Sequence, residues 1–144
     1  MNLFSHESVG GWRLPIQLWE IHPMLVHFPM TFLLTAVLLD LLLWWRDRPI
    51  LAWSVRWLLL AGVVTGLIAS LAGVIAFLTI PAHTEEAHLL MYWHMGIQTL
   101  ALLLFAVVTW VRWREHLNAF TFAPRATGWI AALLLATGAG VGGY

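Results

Sequence analysis

Histidine is the residue type best able to do chemistry in this chain, and six of the seven histidines fall into two groups. His6, His22 and His27 lie near the start, His83, His88 and His94 lie near the middle, and His116 stands apart among arginines. There is no cysteine, which excludes disulfides, thiolate nucleophiles, iron–sulfur clusters and c-type haem attachment. On a helix, at roughly 100° per residue, His22 lies about 140° round from His27, and His88 about 120° from His94. A single site therefore takes one member of each pair. At about 1.5 Å per residue, His27 lies roughly 10 Å past Glu20 and His94 roughly 12 Å past Glu86. That spacing predicts two imidazoles at similar depth, His27 facing His94 across a bundle. Two such rings on different helices are the donor set of a b-type haem with two axial histidines. His22 sits nearer the surface and is a further cofactor-binding candidate. Gly66, among the small residues Gly62, Ala69, Ser70 and Gly73, would leave room for a porphyrin. Gln98 would hydrogen-bond a ring or carbonyl, and Arg13 would pair with propionates.

Two other readings compete. His22, Met24, His27, His94 and Met95 combine imidazole with soft thioether, a set suited to copper. The plainer alternative makes the glycines helix-packing positions and the histidines cross-helix hydrogen-bond donors.

The elements that must position these residues follow from composition. The 144 residues are 61% hydrophobic and 10% charged, with ten tryptophans, and the mean hydropathy is +0.83. A soluble domain carries about 25% charged residues, so a soluble enzyme is excluded. Seven arginines against seven acids and no lysine leave no basic surplus for nucleic acid. A membrane-spanning helix needs about 20 apolar residues. The uncharged runs predict four such helices, about 22–45, 55–80, 85–113 and 126–143, in an all-α integral membrane four-helix bundle. Residues 1–21, with Trp12, Pro15 and Trp19, read as an interfacial segment, since they lack the basic start and apolar core of a signal peptide. Pro23 suits a first helical position, Pro29 should free the carbonyl of Leu25, and Thr84 before Glu85 and Glu86 reads as a cap.

Six of the seven arginines (Arg46, Arg48, Arg56, Arg112, Arg114, Arg125) fall in two connections on one side. The positive-inside rule makes that side cytoplasmic. Both termini then face out, into the periplasm of a bacterial inner membrane. The two hairpins also resemble each other. His27 precedes Arg46 much as His94 precedes Arg112, which suggests a repeat with His27 and His94 as equivalents. Asp40 should pair with Arg46 or Arg112.

The segment "IHPMLVHFP" from Ile21 to Pro29, with "VLLD" at 37–40, resembles the first helix of the membrane family called domain of unknown function 2231. Ile80-Pro81, and His94 followed by Gln98 and Arg112, are similar to its later signature, with Gln98 where the family carries Asn. His88 is outside that pattern. The family's fourth helix runs on to a further histidine, which this chain does not reach after Gly142-Gly143-Tyr144. The resemblance implies a four-helix membrane fold over about 22–144. Family relatives carry Rieske or cytochrome c domains, implying electron transfer on the outer face. Residues and resemblance together lead us to expect a haem-b redox carrier rather than a self-sufficient enzyme. Its partners would be the lipid bilayer and a periplasmic redox protein or larger membrane complex. A cofactor-free accessory subunit of a respiratory or photosynthetic complex is the alternative, and an outer-leaflet copper-binding protein a second.

Overall fold

A computed structural model describes residues 18–46, 48–79, 84–114 and 122–141. Four helices account for nearly all of them: α1 (Leu18–Trp45), α2 (Pro49–Thr79), α3 (Glu85–Arg114) and α4 (Phe122–Val141). The all-α bundle is thus as expected. Glu20–Trp45, Pro49–Thr79 and Glu85–Arg114, at 26, 31 and 30 residues, are long and apolar enough to cross a membrane. α4 was expected to be a fourth such span but is not among them. It is 20 residues long, and Pro124 and Arg125 dilute its apolar character. It nevertheless packs against α3, with His94 and Gln98 bonding the carbonyls of Gly138 and Leu135.

Three helix starts differ from expectation. α1 begins at Leu18, so Pro23 lies inside it, and the helix continues unbroken through Pro29. α2 begins at Pro49, where the missing N–H costs nothing, and the Arg48 carbonyl accepts from the amides of Leu51 and Ala52. Arg56, expected in a loop, is a buried helical residue. α4 begins four residues early and takes Arg125 with it. The expected cap at α3 is present, with the Ala87 amide donating to Thr84 Oγ1 at 3.3 Å.

The core is built from Leu33, Ala36, Val37, Val55, Leu59, Ala101, Phe105, Val108, Ala131 and Leu135, among others. Small residues let the helices approach. A Cβ at Gly62 would collide with the Leu33 side chain, and one at Gly66 would lie 2.7 Å from Leu102 Cδ1. These positions serve helix packing of the small-residue kind.

The buried positions expose an internal repeat. Pro29, Leu33, Ala36, Val37 and Asp40 of α1 recur as Ala101, Phe105, Val108, Thr109 and Arg112 of α3, each 72 residues on. Val55, Leu59, Gly62, Gly66 and Ala69 of α2 recur as Pro124, Gly128, Ala131, Leu135 and Gly138 of α4, each 69 residues on, and Arg56 meets its counterpart in Arg125. The register corrects the one expected from sequence. The equivalent of His94 is His22, not His27.

Where the two halves meet at one end, Arg112 donates to both Asp40 oxygens at 2.9 Å. Arg125 Nε lies 3.6 Å from the same carboxylate. Arg112 is 1% exposed and Asp40 8%. Asp40 therefore pairs with Arg112, one of its two expected partners.

The contact at Gly62 makes a prediction. Gly62→Ala should lower thermal stability in detergent, at the scale of about 1–3 kcal/mol for an overpacked core. Leu33→Ala in the same chain should recover part of that loss. An unchanged melting temperature for Gly62→Ala would contradict the close approach of α1 and α2.

Candidate functional site: a histidine pair between the two hairpins

At the opposite end from the ion pair, two imidazoles come together. His22 lies in the second turn of α1, and its Nδ1 is 2.9 Å from the Ala69 carbonyl oxygen of α2. His94 lies on α3, and its Nδ1 is 2.7 Å from the Gly138 carbonyl oxygen of α4. A carbonyl only accepts, so each Nδ1 carries the proton and donates it. In the neutral ring Nε2 then keeps its lone pair. The two ring centroids are 6.3 Å apart with planes at 87°. One ring belongs to each hairpin, at equivalent positions, with carbonyl acceptors that are themselves equivalent.

The seat of the His22 ring, and that of Gln98 beside His94, depend on missing side chains. A Cβ at Gly73 would lie 2.9 Å from Cε1 of His22. A Cβ at Gly138 would lie 2.9 Å from Cδ of Gln98. Gln98 is one turn beyond His94, and its Nε2 donates to the Leu135 carbonyl at 3.4 Å. Its Oε1 is buried with no hydrogen-bond partner among the described residues, so it offers an acceptor one turn below the histidine pair.

The remaining candidates are placed elsewhere. His27 is exposed on the outward face of α1, and its carbonyl accepts from Thr31 Oγ1 at 2.8 Å. Met24 is 58% exposed, while Met95 is half-buried. His88 is exposed, with its ring 6.1 Å from Phe77. The space beside Gly66 is filled by Leu102 and Pro29 rather than by either imidazole. Arg13, His6, His83 and His116 lie outside the described residues. The expected facing of His27 and His94 is thus replaced by His22 and His94. The depths were counted from Glu20 and Glu86, whereas the level of the two helices is fixed at the other end. His22 and His94 each stand 18 residues before Asp40 and Arg112, or about 27 Å along the helix.

Among the described residues, no group of three or more histidines and acids converges on one point. The site therefore offers two imidazole nitrogens and no charged ligand. Such a pair can share one metal centre whose other positions are filled by something besides the protein, or it can serve as two cross-helix hydrogen bonds.

The tautomer assignment can be read directly. Nitrogen-15 spectra of histidine-labelled protein in micelles should show His22 and His94 protonated at Nδ1. Gly73→Ala should shift the His22 signals and leave those of His94 in place. Protonation of both rings at Nε2 would contradict the carbonyl bonds.

No curated protein and no solved structure matches this chain. The family described as predicted membrane protein DUF2231 matches residues 19–144. That span covers all four helices and both histidines of the pair. The chain belongs to the DUF2231 family of membrane proteins.

Proposed function

We propose that this protein is a membrane electron-transfer subunit that holds a b-type haem between His22 and His94. The observation that carries the reading is the matched pair of Nδ1–H bonds to the carbonyls of Ala69 and Gly138. Metal-ligating histidines usually donate their other ring N–H to a carbonyl, carboxylate or water, which fixes the ring and raises its basicity. Imidazole nitrogens sit about 2.0–2.1 Å from a first-row metal, so a metal shared in line by two rings separates their centroids by roughly 6 Å. The 6.3 Å found here fits that spacing.

The donor set favours haem over a bare ion. A porphyrin supplies four nitrogens and needs two from the protein, whereas structural zinc takes four protein ligands. Copper would need Met24 or Met95 beside the histidines, and Met24 faces outward. When bound, the haem supplies reversible one-electron chemistry. The chain's own part is to hold two neutral imidazoles in a fixed tautomer on facing hairpins. Gly73 keeps the space against the His22 ring open.

The arginine distribution supports placing the ion-pair end at the cytoplasmic face of a bacterial inner membrane and the histidine end at the periplasmic face. A centre near one face exchanges electrons with a partner on that side, a periplasmic redox protein or a larger membrane complex. The accessory-subunit reading has one observation of its own. Each His–carbonyl bond also ties together the two helices of its hairpin, a role that needs no cofactor.

A reduced-minus-oxidised absorption spectrum separates the readings, with haem and copper measured per chain. The proposal predicts a sharp α-band that His22→Ala and His94→Ala each abolish and that His27→Ala leaves in place. A band retained in both single variants, or lost only with His27, overturns the assignment. Copper at stoichiometry without haem would favour the copper reading. Neither chromophore nor copper, in protein taken from membranes of haem-replete cells, would favour the accessory subunit.

A further inference from the structure

We infer that the two hairpins are copies of one unit, and that the opposite charges at Asp40 and Arg112 make each hairpin select its unlike partner. The inference is independent of any cofactor. It starts from register. Five buried positions of α1 recur in α3 at a constant offset, and five of α2 recur in α4 at another. Both sets place equivalent residues on the faces that meet at the centre. The relating axis therefore runs along the helices, and a residue of one hairpin near that axis meets its own equivalent in the other. His22 meets His94 at one end, and Asp40 meets Arg112 at the other.

Pairing like with like about the same axis changes only some of these contacts. The apolar positions (Leu33 with Phe105, Ala36 with Val108) stay apolar, and histidine still meets histidine. At the other end a carboxylate would meet a carboxylate, or a guanidinium a guanidinium. Both positions are buried, so the repulsion would be little screened. Arg125 lies 3.6 Å from the Asp40 carboxylate, and its counterpart Arg56 gives the α1–α2 hairpin a cation at the equivalent position, so the charge that differs between the hairpins is the one at 40 and 112. Among the matched positions of α1 and α3, the ionic one is where like and unlike pairing differ in charge. Single polar or charged contacts of this kind select partners and register in other helical assemblies. The surface so defined is the inner face of each hairpin. Its partner is the hairpin with the opposite charge at the matched position, supplied in the wild-type protein by the same chain.

The test uses full-length chains carrying different tags. D40R and R112D each place like charges at the centre and should lose stability in detergent or fail to accumulate in the membrane. The double variant D40R/R112D should recover both, as a monomer. Co-expressed D40R and R112D chains should rescue each other by exchanging hairpins. The expected product is a one-to-one dimer in which position 40 of each chain meets position 112 of the other. Differently tagged wild-type chains should not co-purify. If the single variants never accumulate alone, their joint appearance on co-expression is the readout. Wild-type stability in both single variants would overturn the inference. So would failure of both the double variant and the co-expressed pair to recover.

Discussion

The ion pair between Asp40 and Arg112 is the constraint on which the rest of the architecture depends. Both residues are buried, and the guanidinium donates to both carboxylate oxygens. Removing one partner of a buried pair typically costs about 3–5 kcal/mol, because the other charge is left uncompensated. Replacing both by apolar residues is often neutral, so such a pair adds little net stability. Its value here lies in geometry. It locks α1 and α3 at one level, and everything above it follows from the rise of a helix. Eighteen residues away, about 27 Å along the axis, His22 and His94 arrive at the same height. That distance is close to the hydrocarbon thickness of a bilayer, about 30 Å.

Between these two ends the contacts are apolar and close. In lipid, burial of apolar surface does little to hold helices together, so close packing and interhelical hydrogen bonds do that work. Gly62 receives Leu33, and Gly66 receives Leu102 and Pro29. The histidine bonds to Ala69 and Gly138 close each hairpin at one end. At the other end aromatic side chains pack with one another and with arginine. Trp57 packs edge-on against Trp113, and the Arg114 guanidinium lies 4.2 Å above the Trp110 ring.

Much of this was legible in the residues. Composition fixed the membrane class, the uncharged runs found all four helices, and the first-helix motif named the family. The Asp40–Arg112 pair was legible as one of the two pairings open to Asp40. The errors share one cause. Charge suggests loops, but Arg56 is buried within α2, and Arg125 lies within α4 beside the Asp40 carboxylate. Shifting those boundaries hid the true repeat register, and with it the equivalence of His22 and His94. Depth counted from Glu20 pointed to His27, since α1 starts earlier than Pro23 suggested. The 18-residue spacing shared by His22–Asp40 and His94–Arg112 was visible in the sequence and would have given the right register.

The central claim is that His22 and His94 share one centre with their ring planes crossed. Electron paramagnetic resonance of the oxidised protein tests it most directly. Two imidazoles at 87° would act on different d orbitals of a bound ferric iron and leave them nearly degenerate. The account predicts a low-spin ferric signal of the strongly anisotropic kind that this near-degeneracy produces, and its loss when either histidine is replaced. A high-spin signal, an ordinary rhombic low-spin signal from parallel rings, or no ferric signal at all would contradict it.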